Sequence, residues 1–486
     1  MAYKHGVYNS EIDTSLTTPI QGSAGLQVIF GTAPIHLSKN PAAAANTPML
    51  CYSFKECQDA VGYSDDFDKF SLCQSIDACF RVFNVAPVIL VNVLDPTKTG
   101  HTTSNVSASY TPTGAQVVYD KAYVLISTMV VKNGSTTLVY GTDYTAEFDD
   151  AGNVVITLIS TAAKAASTLS ITSTSLNPAG VTAADIVGGV DGTTGKETGL
   201  ELVRHIYPML GMVPGLLLAP GWSQNAVVAA ALQAKTELIN GVFDCCAYLD
   251  VAADATGSKL YTGVKTAKDS LGASSPHAAV FWPMVAIGTK KYYMSAMAAA
   301  LTAYTDAANA DIPYESPSNK SLRITATVLA DGTQVVLDQQ QANDVLNANG
   351  ITTAINAGGF KLWGNNTAAY PSTTDPKDRW LAVRRFFDWD GNNFIRTYFQ
   401  KVDKPGNRRL IQSIVDSQNI VGNGYVARDY CAGYRVEFRS DENPVTNLLA
   451  GHLTVHTYLA PYIPAEYIEN IREYDVTALE SAVGGE

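Results

Sequence analysis

Two histidines four residues apart, His452 and His456, are the first side chains in this chain that suggest chemistry. On a helix, that spacing would let both imidazoles reach one zinc ion. The surrounding LTVHTYLA alternates apolar and polar residues, which reads as a strand. Four strand residues span about 13 Å, too far for both rings to share a metal. Gly195-Lys196, within GGVDGTTGKETG at 188–199, invites comparison with a phosphate-cradling loop. That loop needs a glycine where Val190 stands and a hydroxyl where Glu197 stands. DWDGNN at 388–393 has calcium-loop acids, but Gly391 falls at the fourth position and Phe399 at the twelfth. Calcium loops place glycine sixth and glutamate twelfth, so this stretch reads as a turn. Cys245-Cys246 lies in the apolar run VFDCCAYLDV and reads as core packing. No G-x-S-x-G and no local cluster of His, Asp and Glu occurs. The expectation is a protein that is not an enzyme, with no catalytic residue, no cofactor and no metal.

The totals bound the elements that would hold any site. The chain has 486 residues, more than one core accommodates, and length alone suggests three or four domains. Hydrophobic residues make up 46% and charged residues only 16%, below the usual quarter. Such a sparsely charged surface suits faces covered by neighbours. Net charge is 33 − 45 = −12. The cationic residues form only short runs, such as Arg408-Arg409 near Lys401 and Lys404, so nucleic-acid binding is not expected. Seven irregularly spaced cysteines without a C-x-x-C read as free thiols in a reducing compartment. MAYKHGVYNSEID lacks the apolar core of a signal peptide. No run of about 18 apolar residues appears, so direct membrane insertion is not expected either.

Along the chain, residues 1–22 read as an extended N-terminal arm. An α/β domain follows over 23–96 and resumes over 186–374. LQVIFGTAP, PVILVNVL, PGLLLAPG, VFDCCAYLDV and HAAVFWPMV are buried strands. SLCQSIDACFRVF, QNAVVAAALQAKTELIN and KKYYMSAMAAALTAYTDAANA are helices between or after them. Residues 97–185 interrupt this domain with Thr, Ser, Val, Tyr and Gly. KNGS at 132–135 and DDAGN at 149–153 are turns between strands there, predicting an inserted antiparallel, β-sandwich-like domain. Residues 375–463 are more charged, with a helix at RRLIQSIVDSQNI and strands at YRVEFRS and GHLTVHTYLA. The fold class is therefore α+β and multidomain, built on an interrupted α/β domain.

The C-terminal arm, 464–486, is not the polar tail expected of a segment with no partner. It carries Tyr467, Ile468, Ile471 and Tyr474 after the stiffening Pro461 and Pro464. Three stretches together resemble the contractile tail sheath proteins of phages, tailocins and related injection systems. They are GVYNSEI with GLQVIFGTAPIHLSKN, then PGLLLAPGWS, then AGYRVEFRSDENPVTNLLAGHLTVHTYLAPYIPAEYIENI.

The resemblance implies a C-terminal α+β sheath domain at 375–463. It also implies terminal arms that donate strands to neighbouring subunits. The donated strands would lie near Gly6–Asp13, with Val7, Tyr8 and Ile12, and near Glu466–Val476. The receiving strands would be Tyr434–Arg439, with Tyr434, Val436 and Phe438, and His452–Leu459, with Leu453, Val455 and Leu459. Arg408 and Arg409 would face an inner tail tube. The implied assembly is a homo-oligomer of stacked rings that meets the tube, a baseplate and a tail terminator. It would be built in a bacterial cytoplasm and contract from a metastable extended state to drive the tube through an envelope. A rival reading from the residues is a surface or adhesive protein whose β insertion binds a cell-surface ligand.

Overall fold

A computed structural model describes residues 20–21 and 23–484. Its centre is a mixed sheet of eight strands: β1 Gln27–Gly31, β2 Met49–Cys51, β3 Val88–Asn92, β4 Leu216–Leu218, β5 Cys246–Asp250, β6 Ala278–Phe281, β7 Ile351–Asn356 and β8 Phe360–Trp363. Their spatial order is β8-β7-β6-β5-β4-β1-β3-β2. The six inner strands are parallel, and β2 and β8 run antiparallel at the two edges. Every residue of β1, β3, β4, β5 and β6 is buried, which is why these strands are continuous apolar runs without alternation.

Helices α1 Leu72–Asp77, α2 Ala226–Ala234 and α3 Met294–Ala308 pack on the sheet, and α4 Leu381–Tyr398, α5 Arg408–Ala427 and α6 Val476–Val483 follow toward the C-terminus. Twelve of the 15 residues of α3 are buried, so this alanine-rich rod is central rather than amphipathic. The first turns of α4 enter the same core through Leu381. There Arg385 forks onto Asp306 of α3, an ion pair almost wholly removed from water. Among the described residues no helix is long and apolar enough to cross a membrane. All seven cysteines are buried and unbridged.

Between β3 and β4 the chain makes, besides a short hairpin at 189–198, two further sheets. One holds Tyr144–Phe148, Val154–Leu158 and Gln116–Tyr119; the other holds Thr102–Tyr110, Leu169–Leu176, Val130–Asn133 and Thr136–Thr137. They share a separate core that includes Tyr119, Val131, Ile156 and Ile171, and Tyr119 Oη lies 2.9 Å from Ser173 Oγ on the other sheet. The fold is thus mixed α+β: an eight-stranded mixed sheet with several small antiparallel sheets.

Several sequence expectations need correction. DWDGNN is not a turn but the middle of α4; Asp388 and Asp390 are buried there because polar partners meet them. The helix predicted through Ile239 stops at Ala234, because Leu238 and Asn240 take positive φ, and Ile239 is buried from a loop instead. Lys290–Tyr292 is a strand paired with Met284–Ile287, not the start of α3. HAAVFWPMV divides at Trp282-Pro283 into strands of two different sheets. GHLTVHTYLA is a strand only from His456, because the Asn443 side chain holds both the N–H and the C=O of Thr454 in a turn.

Candidate assembly interface

Ligands of open parallel sheets bind outside the strand ends where the strand order reverses. Here that point lies between β1 and β4, and side chains fill it. Ser71 Oγ accepts from Thr32 N and from Trp222 Nε1, each at 3.2 Å. A Cβ on Gly221 would touch Ser71 and the Tyr293 ring at 3.4 Å. The glycine-rich 188–199 stretch is a short hairpin whose Asp191 accepts from the amides of Thr193 and Thr194. An anionic side chain sits where a phosphate cradle would need open amides.

The features that need explanation lie at the C-terminal end. Strands β9 Cys431–Glu437 and β10 His456–Pro461 form a two-stranded antiparallel sheet packed on α5. Its core is thin: Cys431, Tyr434 and Val436 are fully covered, with Val415, Tyr425, Val426, Val455 and Leu459 around them. Tyr434 is the hub. Its hydroxyl reaches both oxygens of Asp390 on α4 at 3.0 Å and receives Gln418 Nε2 from α5. Burial raises the Asp390 carboxyl to about 6 although Tyr434 hydrogen-bonds it. Burial, together with the charge of Asp390, pushes the Tyr434 phenol far above its ordinary value.

The two edges of this sheet differ. On β9, the Val436 N–H donates to Asn419 Oδ1 and the Val436 C=O accepts from Asn419 Nδ2, both at 2.9 Å. One α5 side chain therefore imitates a neighbouring strand and closes that edge. Val436 stands opposite Thr457, and Tyr434 opposite Leu459. Opposed residues share their bonding state and alternate along an antiparallel ladder, so Thr457 and Leu459 aim their backbone groups away from β9. Such a row of free groups is a template for another chain.

Past Pro461 the chain leaves the body. Glu466 pairs with Arg379 at 3.1 Å, and the Arg379 guanidinium stacks on Trp380 at 4.1 Å, which anchors the root of the arm. Residues 462–475 then form no regular structure. Tyr467, Ile468, Ile471 and Tyr474 are 71–86% exposed. The strand expected at Glu466–Val476 is absent from the single chain, since a strand cannot satisfy its backbone without a partner. Val476–Val483 is instead the helix α6, capped by the Asp475 side chain on Ala478 N.

The remaining predicted positions divide. Tyr434 and Val436 are buried by their own chain and offer no side chain to a neighbour. Phe438 lies just beyond β9 and lines a cleft with Arg408, Ile411 and Val415. Leu453 is 38% exposed and precedes β10, while Val455 and Leu459 are half-buried. Arg408 and Arg409 are both exposed at the start of α5. His456 Nδ1 is within 2.7 Å of Glu442 Oε1. Val7, Tyr8 and Ile12 lie outside the described residues. Sequence reasoning missed Asn419, Arg379 and Gly422, whose roles depend on contacts between elements.

The fold is shared with subunits of known particles. A chain of the anti-feeding prophage baseplate matches with a TM-score of 0.59 at 15% identity, covering 98% of this chain and 100% of that one. The sheath of PVC, an extracellular contractile injection system, in its contracted state matches with a TM-score of 0.57 at 16% identity, covering 98% and 99%. The fold is therefore that of contractile-particle subunits. No family model matches the chain. The tail sheath protein of Burkholderia phage BcepMu is 30% identical over 477 residues, 94% of each chain. That of Escherichia phage P2 is 27% identical over 301 residues, 59% of this chain and 69% of its own. The chain belongs to the tail sheath protein family. It is a structural subunit of a contractile tail sheath, not an enzyme, and a component of a phage tail or contractile injection particle.

Proposed function

We propose that this subunit assembles with copies of itself into a helical sheath around an inner tube. Strands exchanged between subunits hold the sheath together and act as hinged tethers while it shortens. The observation that carries this reading is an exposed apolar arm beside an unfilled strand edge on the same molecule. Covering Tyr467, Ile468, Ile471 and Tyr474 in a neighbour would stabilise by roughly 1.5–3 kcal/mol each. Ordering each arm residue costs about 1–2 kcal/mol in backbone freedom. Over residues 466–476 the ordering cost, roughly 11–22 kcal/mol, exceeds the side-chain gain of roughly 6–12 kcal/mol, so these four side chains alone do not hold the arm in a neighbour. Main-chain bonds to the Thr457 and Leu459 edge, the stiffness of Pro461 and Pro464, and contacts between bodies supply the surplus. The N-terminal arm, with Val7, Tyr8 and Ile12, contributes a second exchanged strand.

Contraction is a change of packing between nearly rigid bodies, driven by free energy stored at assembly. Arg408 and Arg409, exposed and adjacent, are the tube-facing pair in this reading. Residues 97–185 decorate the outer surface. The partners are further copies of the chain, the inner tail tube, a baseplate and a tail terminator, within a particle built in a bacterial cytoplasm. The terminal arms, the discontinuous α/β domain of 23–96 with 186–374, the insertion at 97–185 and the sheath domain at 375–463 are its working parts.

Electron microscopy of the purified full chain beside chains lacking 1–20 or 464–486 tests the proposal. Tubes are expected from the full chain, and monomers or short oligomers from each truncation. Tubes that survive both deletions would overturn strand exchange.

A further inference from the structure

Cys246, His277 and Asp388 come from the first residue of β5, the residue before β6 and the middle of α4. All three are buried, at 1%, 6% and 5% exposure, and one ligand atom from each falls within 4.8 Å of the others. Cys246 Sγ is 3.6 Å from Asp388 Oδ2, and His277 Nδ1 is 3.2 Å from the same oxygen. Zinc bonds of about 2.3 Å to sulfur and about 2.0–2.2 Å to nitrogen and oxygen, set tetrahedrally, give ligand separations of about 3.6 Å and about 3.3 Å. The two measured separations are already those of a tetrahedral edge.

Two further features point to a ligand. His277 Nδ1 is buried without a hydrogen bond of acceptable geometry, an expensive state for a polar atom. The groups behind the trio are arranged as supports. Arg384 holds Asp388 through Oδ1, with Nε and Nη2 both at 2.9 Å, which leaves Oδ2 turned toward Cys246 and His277. Glu237 Oε1 stands 4.0 Å from His277 Nε2. A carboxylate behind the distal nitrogen is the usual support of a metal-bound histidine. A cleft lined by Gly215, Asp244, Cys246, Asp388, Asn392 and Arg396 gives access.

We propose that this trio binds a zinc-class divalent cation through Cys246 Sγ, His277 Nδ1 and Asp388 Oδ2, with water in a fourth position. Thiolate with imidazole favours zinc or cobalt over magnesium or calcium. Binding exchanges the Cys246 S–H proton, released to solvent, for the metal–sulfur bond. With a thiolate and a carboxylate the dication is neutralised, and Arg384 keeps its bond to Oδ1. The ion would join two strands of the sheet to α4, the helix that leads to the C-terminal sheet and arm.

The test is titration of the full-length, metal-stripped chain with cobalt(II) alone, followed by zinc. Expected are one cobalt per chain, thiolate-to-cobalt charge transfer in the near ultraviolet, intense tetrahedral bands in the visible, and loss of both when zinc displaces cobalt. Cys246→Ser should abolish the charge transfer. His277→Gln, which removes only the imidazole from a strand start, should weaken cobalt binding by at least about tenfold and serves where Cys246→Ser fails to fold. Absence of the charge transfer in the folded wild-type chain, or its persistence unchanged in a folded variant of either residue, would overturn the site.

Discussion

At the residue scale, the side chains that matter most are polar ones placed where water is not. Arg385 and Asp306 are the clearest case, at 4% and 1% exposure. Their attraction offsets a desolvation cost of several kcal/mol per ion, so the pair adds little net stability while both partners are present. Removing one partner is different, because the other is left charged in the core. Asp306→Ala should therefore cost about 3–5 kcal/mol, read as a lower denaturation midpoint with an unchanged slope. The double variant Asp306→Leu with Arg385→Met should recover most of that loss. If the double variant is as unstable as the single one, the pair is not what fixes α4 to α3. Nothing in the sequence marks these two residues as partners. They meet only because the whole fold brings the first turns of α4 against α3.

At the element scale, α5 shows how one helix can hold two glycines with opposite roles. A Cβ on Gly422 would lie 2.0 Å from Cδ1 of the Tyr434 ring, whereas nothing lies within 4 Å of a Cβ on Gly424. Alanine in a helix interior is normally better than glycine by about 1 kcal/mol. Gly424→Ala should follow that rule and raise the melting temperature. Gly422→Ala should lower it, because the Tyr434 ring must move from its bonds to Asp390 and Gln418. Equal responses from the two variants would mean that α5 does not pack on β9 through Tyr434. The apolar runs of β1, β3, β4, β5 and β6 were legible in the sequence because complete burial leaves a complete apolar pattern. The hairpins at 132–135 and 149–153 were legible because Asn-Gly and Asp-rich turns punctuate alternating strands. Helix α4 was not, because its inward face includes Arg385, Asp388 and Asp390, and buried polar residues erase hydrophobic periodicity. The same polarity hid the Cys246, His277 and Asp388 grouping, which no local spacing encodes.

At the scale of the whole molecule, the sequence feature that a single subunit leaves unexplained is the set of apolar side chains on a terminal arm. Ile468 and Ile471 are 86% and 84% exposed, so they contribute almost nothing to the single subunit. Replacing both by aspartate should leave the monomer's stability within about 0.5 kcal/mol of the parent, as for surface sites in general. In the proposed strand-exchanged assembly the same change would put two charges under apolar cover, and a buried unpaired carboxylate is far costlier than an exposed one. The variant should thus melt like the parent as a monomer and fail to form tubes. Mixed with excess parent chain, it should shorten tubes, because each incorporated copy breaks one tether. A variant that assembles normally would remove these side chains from the interface and leave only main-chain pairing at Thr457 and Leu459 to join the arm to its neighbour. A variant that melts early would show that the arm folds back on its own body. Division of labour follows from the physics: strands β1, β3, β4, β5 and β6 are wholly buried within the body, and the arm's apolar side chains, left exposed, are available to link subunits in the proposed assembly.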